Sequence, residues 1–192
     1  AVAWRGAGED MGVASLRNPV NLAVATWSWG NYYGDAKMKG AKLDVAKWQR
    51  PDPKTAPFEA KAAGLYMIAT MSKHTAEANG CSDAMMMDYR GYVAEATGAN
   101  IFFVKDGEVH TPTPDAFLNG LTRQTVIEML TKMGVKVHER HILPGELEDF
   151  SQCWLTGSAA EITPVGQIGN YNFEVGELTQ AVSKNYEQLV RE

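Results

Sequence analysis

The chain has 192 residues, 45% hydrophobic and 21% charged, with a formal net charge of -5. That length can bury a sizeable core and holds one large domain or one and a fraction. An acidic balance without long runs of like charge speaks against a nucleic-acid partner, because phosphate binding needs a basic face. No apolar run reaches membrane-spanning length and no signal-peptide pattern appears, so no membrane partner is expected.

The first residues, Ala1-Val2-Ala3-Trp4, carry no Met and already alternate like a strand, so the chain reads as beginning in mid-fold. A second strand is expected from Pro19 to Trp29, rich in β-formers. Gly34 to Ala41 is small, polar and glycine-bounded, which suits an interdomain linker. Lys42 to Trp48 alternates weakly, as an edge strand would. Pro51, Pro53 and Pro57 forbid regular structure across the next segment.

Leu65, Ile68, Ala69, Ser72 and Ala76 then recur at helical spacing, and Asn79-Gly80 supplies a stop. Ala84 to Asp88 and Ile101 to Val104 read as antiparallel strands, with turns at Tyr89-Arg90-Gly91 and Lys105-Asp106-Gly107. Thr122 to Met133 predicts a helix with Thr122 as N-cap and Gly134 just beyond its end. A strand over Val135 to Ile142, a short helix over Pro144 to Phe150, a strand over Cys153 to Thr156 and a closing helix over Gly176 to Val190 complete the reading. Strands in hairpins more than in βαβ units predict an α+β fold.

Several residues could carry chemistry. Lys61 lies among small residues, Ala60-Lys61-Ala62-Ala63-Gly64, which would let a flat ring approach the backbone; an exposed helix lysine is the plain alternative. Tyr66 is five residues on, about 140° away on an ideal helix. Both can face one ring only if Lys61 sits before regular helix begins. Glu95 precedes small residues and could point into a pocket, or be a solvated turn residue. Gly120-Leu121-Thr122 at a helix entrance offers free N–H groups and a hydroxyl to an anion. Gly157-Ser158-Ala159-Ala160 could form a second anion-binding turn, and both segments could equally be ordinary caps. His138 and His141, three apart on a strand, face opposite sides and imply no zinc site. Met85, Met86 and Met87 read as core and rim of a strand. Trp27 and Trp29 share one strand face. Cys81 and Cys153 match no metal or C-x-x-C spacing and are expected as free thiols in a reducing cytoplasm.

Taken in order, Lys61-Ala62-Ala63-Gly64-Leu65-Tyr66, Gly91-Tyr92-Val93-Ala94-Glu95 through Gly98 and Asn100, Gly120-Leu121-Thr122-Arg123 and Leu155-Thr156-Gly157-Ser158-Ala159-Ala160-Glu161-Ile162-Thr163-Pro164 resemble the fold-type IV pyridoxal 5'-phosphate (PLP) aminotransferases. The branched-chain amino acid aminotransferases are the most similar group. The resemblance implies an antiparallel-rich pseudo-barrel PLP domain over 42–192, a linker at 37–41, and over 1–36 the tail of a small domain whose front is absent. It implies Lys61 as the Schiff-base lysine, Tyr66 at the cofactor's phenolic oxygen and Glu95 at its pyridine nitrogen. Leu121, Thr122 and Ser158 would hold the phosphate, Ala159 and Ala160 the substrate carboxylate, and Trp29 and Tyr32 would line the substrate pocket. The implied reaction moves nitrogen between leucine, isoleucine or valine and 2-oxoglutarate in a cytoplasmic homodimer or higher homo-oligomer serving amino-acid biosynthesis. D-amino acid aminotransferase, aminodeoxychorismate lyase and R-amine aminotransferase share this apparatus, and a truncated, inactive PLP-binding protein is the rival from another class. Two positions depart from the pattern: Ser158 stands where threonine is usual, and Ala99 where an acidic residue is common. The family's further phosphate-binding arginine would belong to the absent front.

Overall fold

In a computed structural model, which describes residues 1–8, 12–28 and 39–191, the alternating and helical spacings become, as elements complete among those described residues, eleven strands and three α-helices. The chain divides into two units, Ala1–Gly30 and Asn31–Glu192. In the first, β1 (Val2–Arg5) pairs antiparallel with β2 (Val20–Ala23), Val2 facing Ala23 and Arg5 facing Val20. Asn18 closes this hairpin, donating from Nδ2 to the Gly6 carbonyl at 3.0 Å and accepting at its own carbonyl from Arg5 at 3.2 Å.

The second unit is built on one mixed sheet. Its strands are β3 (Ala41–Val45), β4 (Asp83–Met87), β5 (Val93–Ala96), β6 (Asn100–Lys105), β7 (Glu108–Pro112), β8 (Val137–Arg140), β9 (Gln152–Gly157), β10 (Glu161–Ile168) and the short β11 (Tyr171–Asn172). The order is β5-β4-β3-β10-β9-β6-β7-β8, with β11 paired to β10. The sheet curls, and β5 also packs beside β6. Its helices complete among the described residues are α1 (Met67–Ala78), α2 (Leu121–Lys132) and α3 (Glu177–Arg191), with 3-10 turns at Ala63–Tyr66 and Pro144–Asp149.

The α+β class and the excess of hairpins over βαβ units hold, and two details of topology add to or differ from the sequence expectation. Most pairings are antiparallel, yet β3 runs parallel to β4 and β7 parallel to β8. The β3–β4 and β7–β8 pairs are each joined through a helix, α1 and α2 respectively, and form βαβ units, while β3 also runs parallel to β10. Second, β3 is not an edge strand. It lies between β10 and β4. Its alternation, with Ala41 and Leu43 buried and Lys42 exposed, records one covered face and says nothing about the ladder.

Burial on both faces explains the continuous apolar runs. Ile101 and Phe103 point into one core with Leu43, Met85, Phe150 and Leu155. Phe102 and Val104 point into another with Trp154, Val126 and Leu130 of α2 and Val182 of α3. A third, small-residue core of Ala69, Ala76, Ala84 and Met86 seats α1 closely on the sheet.

The parallel junction of β3 and β10 depends on two glycines. The register slips between Val165 and Gln167, at Gly166. Gly40 adopts φ +79 there, and a Cβ on it would fall inside contact distance of the Gly166 backbone. Gly40→Ala therefore adds both a left-handed strain and a backbone collision. It should lower unfolding stability by about 1–3 kcal/mol, the range for a residue held in a disfavoured backbone region. A urea titration measures this, and an unchanged midpoint would mean that the junction yields without cost.

Candidate active site

A cleft of about 340 Å³ opens where the Arg50–Tyr66 segment, the β5–β6 turn, the start of α2 and the β9–β10 turn meet. That volume suits a small ligand. Lys61 reaches it from an irregular segment: Ala62 is extended (φ -88, ψ 137) and the 3-10 turn begins only at Ala63. Tyr66 ends that turn and lines the same cleft. Lys61 thus precedes regular helix, the condition for the lysine and the tyrosine to share one space. The prolines and the Asp52 turn, where Asp52 Oδ1 accepts from the Lys54 N–H at 2.8 Å, keep the segment out of a helix.

Glu95 is in β5 itself, paired with Met86 of β4, and is 7% exposed. It is not a solvated turn residue. Its Oε2 accepts from Asn100 Nδ2 at 3.3 Å. Its Oε1 lies 3.2 Å from Arg50 Nε, close enough for an ion pair but off the line of a hydrogen bond. Arg50, 6% exposed, donates from Nη1 to the Leu65 carbonyl at 3.3 Å and so ties the acid to the turn that carries Tyr66. The charge of the Glu95 carboxylate is only partly compensated. Burial pushes its pKa up to about 8, against the downward pull of Arg50 and Lys61, with Asp83 adding to the rise.

At the other end, Gly120 caps α2 in an extended conformation (φ -62, ψ 144), and Leu121 and Thr122 are its first helical residues. Thr122 is not the N-cap, and no side chain caps the helix. The first-turn N–H groups therefore have no intrahelical partner, and Gly120, Leu121 and Thr122 line the cleft. Buried Arg123 braces this turn, donating to Asn119 Oδ1 at 2.9 Å, the Pro112 carbonyl at 3.0 Å and Glu139 Oε2 at 2.7 Å. Across the cleft stand Thr156, Gly157 and Ser158. The Thr156 hydroxyl is buried without a hydrogen-bond partner, an acceptor or donor held ready in the wall.

Lys61, Tyr66, Glu95, Leu121, Thr122 and Ser158 are thus brought together. Ala159 and Ala160 follow in the same turn but are not among the lining residues, and Ala160 packs into the core. Trp29 and Tyr32 lie outside the described residues. The sequence reading missed Arg50 and the role of Asn100. Arg50 sits just before a proline, where only its position ahead of Lys61 and Tyr66 hints at a site.

The histidines are arranged differently from the sequence expectation in one respect. His138 bonds Glu108 at 2.5 Å while His141 bonds Asp115 at 2.9 Å and stacks on Tyr92, so the two do serve different surroundings. Parallel pairing of β7 and β8 instead sets His110 beside His138, within reach of Glu108. Lys136 on Glu108 and Arg140 on His110 Nδ1 already engage those ligand atoms with cations.

A family model described as amino-transferase class IV matches residues 1–168. The chain belongs to the class IV aminotransferases. It is 40% identical over 158 residues to a probable branched-chain-amino-acid aminotransferase of Rickettsia felis, covering 80% of this chain and 54% of that protein. It is 34% identical over 186 residues to the Pseudomonas aeruginosa branched-chain-amino-acid aminotransferase, covering 95% and 61%. Among solved structures, the T.th. branched-chain amino acid aminotransferase complexed with N-(5'-phosphopyridoxyl)-L-glutamate superposes with a TM-score of 0.89 at 33% identity, covering 98% of this chain and 62% of that one. The Thermoproteus uzoniensis enzyme with norvaline gives 0.82 at 34%, covering 86% and 55%. The chain thus spans somewhat more than half the length of these relatives. Among the described residues no helix is long and apolar enough to cross a membrane.

In this class IV chain, the raised Glu95 pKa has a stability consequence. The folded value lies above the ordinary 4.5, so the unfolded chain releases this proton first as pH rises. The contribution of neutral Glu95 is therefore fully present below pH 4.5 and is lost as pH climbs through about 8. Without added ligand, the native chain should lose stability across that window relative to Glu95→Gln, which cannot ionise. Denaturant midpoints for both proteins across the window check this. Parallel curves would show that Glu95 is not held neutral.

Proposed function

We propose that this chain is the PLP-binding part of a branched-chain amino acid aminotransferase, moving nitrogen between leucine, isoleucine or valine and 2-oxoglutarate. The observation that carries the reading is the convergence of Lys61, Tyr66, Glu95 and the first turn of α2 on one cleft. The groups fit the cofactor by their chemistry. The amine is on the exposed rim, the acid is buried, and unpartnered N–H groups and the orphaned Thr156 hydroxyl suit an anion. Among the relatives, a phosphopyridoxyl-glutamate adduct and pyridoxamine 5'-phosphate are the ligands named in two T.th. structures.

Bound PLP supplies an aldehyde carbon and a ring that accepts the electrons released at the substrate Cα. Lys61 would hold the aldehyde carbon and carry the proton at Cα. Glu95 would keep a proton on the ring nitrogen, and the cation formed there would draw the carboxylate back to its ionised state. Tyr66 would donate to the phenolic oxygen. Leu121, Thr122 and Ser158 would hold the phosphate. Ala159 and Ala160 are assigned the substrate carboxylate, and Trp29 and Tyr32 the side-chain pocket. Residues 1–36 would be the tail of a small domain, 37–41 a linker and 42–192 the cofactor domain, in a cytoplasmic homodimer or higher homo-oligomer acting in amino-acid biosynthesis. The Gly157-Ser158-Ala159-Ala160 turn supports the branched-chain group over its relatives.

Borohydride reduction of PLP-loaded protein followed by peptide mapping should place the pyridoxyl group on Lys61. An adduct on Lys54 or Lys73 would remove Lys61 from this role. Glutamate formation from leucine and 2-oxoglutarate, lost in Lys61→Ala, tests the substrate class.

A further inference from the structure

Asn100 opens β6 and is 5% exposed. Its Oδ1 accepts from the Gly120 N–H at 3.2 Å, and its Nδ2 donates to the Leu118 carbonyl at 2.9 Å and to Glu95 Oε2 at 3.3 Å. The two backbone groups are of opposite kind, so they decide which end of the amide is which. A flipped amide would face oxygen with oxygen and N–H with N–H. The donor therefore points at Glu95, whichever charge Glu95 carries. The contact is tight as well. A Cβ on Gly120 would fall inside contact distance of Asn100 Oδ1.

We propose that Asn100 is a positioning residue that fixes the Glu95 carboxylate relative to the first turn of α2, so that the two ends of the cleft form one rigid frame. This rests on the PLP reading, in which Glu95 meets the ring nitrogen and the α2 turn meets the phosphate. PLP is a stiff molecule whose ring and phosphate sit at a nearly fixed separation, so anchors that drift independently would lose one contact or the other. Strand β5 and helix α2 are far apart in the chain, and Asn100 bonds directly both to Glu95 and to the residues flanking the start of α2. Its substitution by aspartate keeps the shape, removes both donations and sets a second carboxylate beside Glu95.

The experiment is a double-mutant cycle on PLP affinity, followed by cofactor absorbance, with Asn100→Asp, Glu95→Gln and the double variant measured across neutral and alkaline pH. Asn100→Asp should weaken affinity and shift the pH at which binding changes to a higher value. In the Glu95→Gln background that shift should vanish and the affinity loss shrink at least about fivefold, the coupling expected of groups in contact. Asn100→Ser, smaller and uncharged, should weaken affinity without the pH shift, and serves if Asn100→Asp does not fold. Equal losses in both backgrounds with an unmoved pH profile would make Asn100 merely structural and overturn the proposal. Failure of Glu95→Gln itself to alter the pH profile would instead overturn the placement of the ring nitrogen at Glu95.

Discussion

A carboxylate inside a protein is costly unless charges and hydrogen bonds compensate it, and the arrangement around Glu95 compensates it only in part. Arg50 stands 3.2 Å away but misaligned, and Asn100 offers one long hydrogen bond. Burial outweighs the pull of Arg50 and Lys61, which is why the pKa rises to about 8 instead of falling as it would in a well-formed ion pair. Once ionised, Glu95 is therefore only partly compensated by the described cations around it. A protonated ring nitrogen is a group that would complete the compensation. Much of the surrounding architecture is what keeps this carboxylate dry and in place.

The curled sheet does the first part of that work. Pairing with β4 holds Glu95 in a strand, and packing of β5 beside β6 brings Asn100 to it. Arg50 is held near Glu95 by a backbone bridge to Asp88, just beyond β4, a few residues after β3 ends. The placement of β3 in turn requires the Gly40–Gly166 contact, where any side chain would hold β3 and β10 apart. A glycine pair remote in sequence from Glu95 thus helps to set where its counter-charge stands.

The site was more legible in the sequence than the topology. Lys61, Glu95, Thr122 and Ser158 sit in short segments whose small residues leave room for a ligand, but each segment alone fits an ordinary turn, cap or helix lysine equally well, and only the family resemblance joins them. Topology left weaker traces. The period of β3 reports that Lys42 faces water, and a strand in the middle of a sheet solvated on one face reads the same as an edge strand. The β5 strand was hidden because Glu95 interrupts its apolar pattern. That charge is tolerated only by virtue of its partners, Arg50 far before it in the chain and Asn100 shortly after it. Thr122 looked like a cap because threonine favours that position. Gly120 caps instead because Asn100 Oδ1 occupies the space a side chain would need.

The contrast between Lys61 and Glu95 follows from what each would have to do. An acid that keeps a proton on a ring nitrogen must not move, and Glu95 is held in a strand with both oxygens engaged. An amine that serves two carbon atoms in turn must move, and Lys61 sits on an exposed stretch with no helical hydrogen bonds to constrain it. Tyr66 lies between these extremes, at the end of a short 3-10 turn whose Leu65 carbonyl is tied to Arg50. Rigidity thus increases from the rim of the cleft to its floor, and water exposure falls in the same direction. Reversing the two, with the amine in the sheet and the acid on the loop, would lower the lysine's freedom and let solvent neutralise the electrostatic demand that makes Glu95 a partner for a cation.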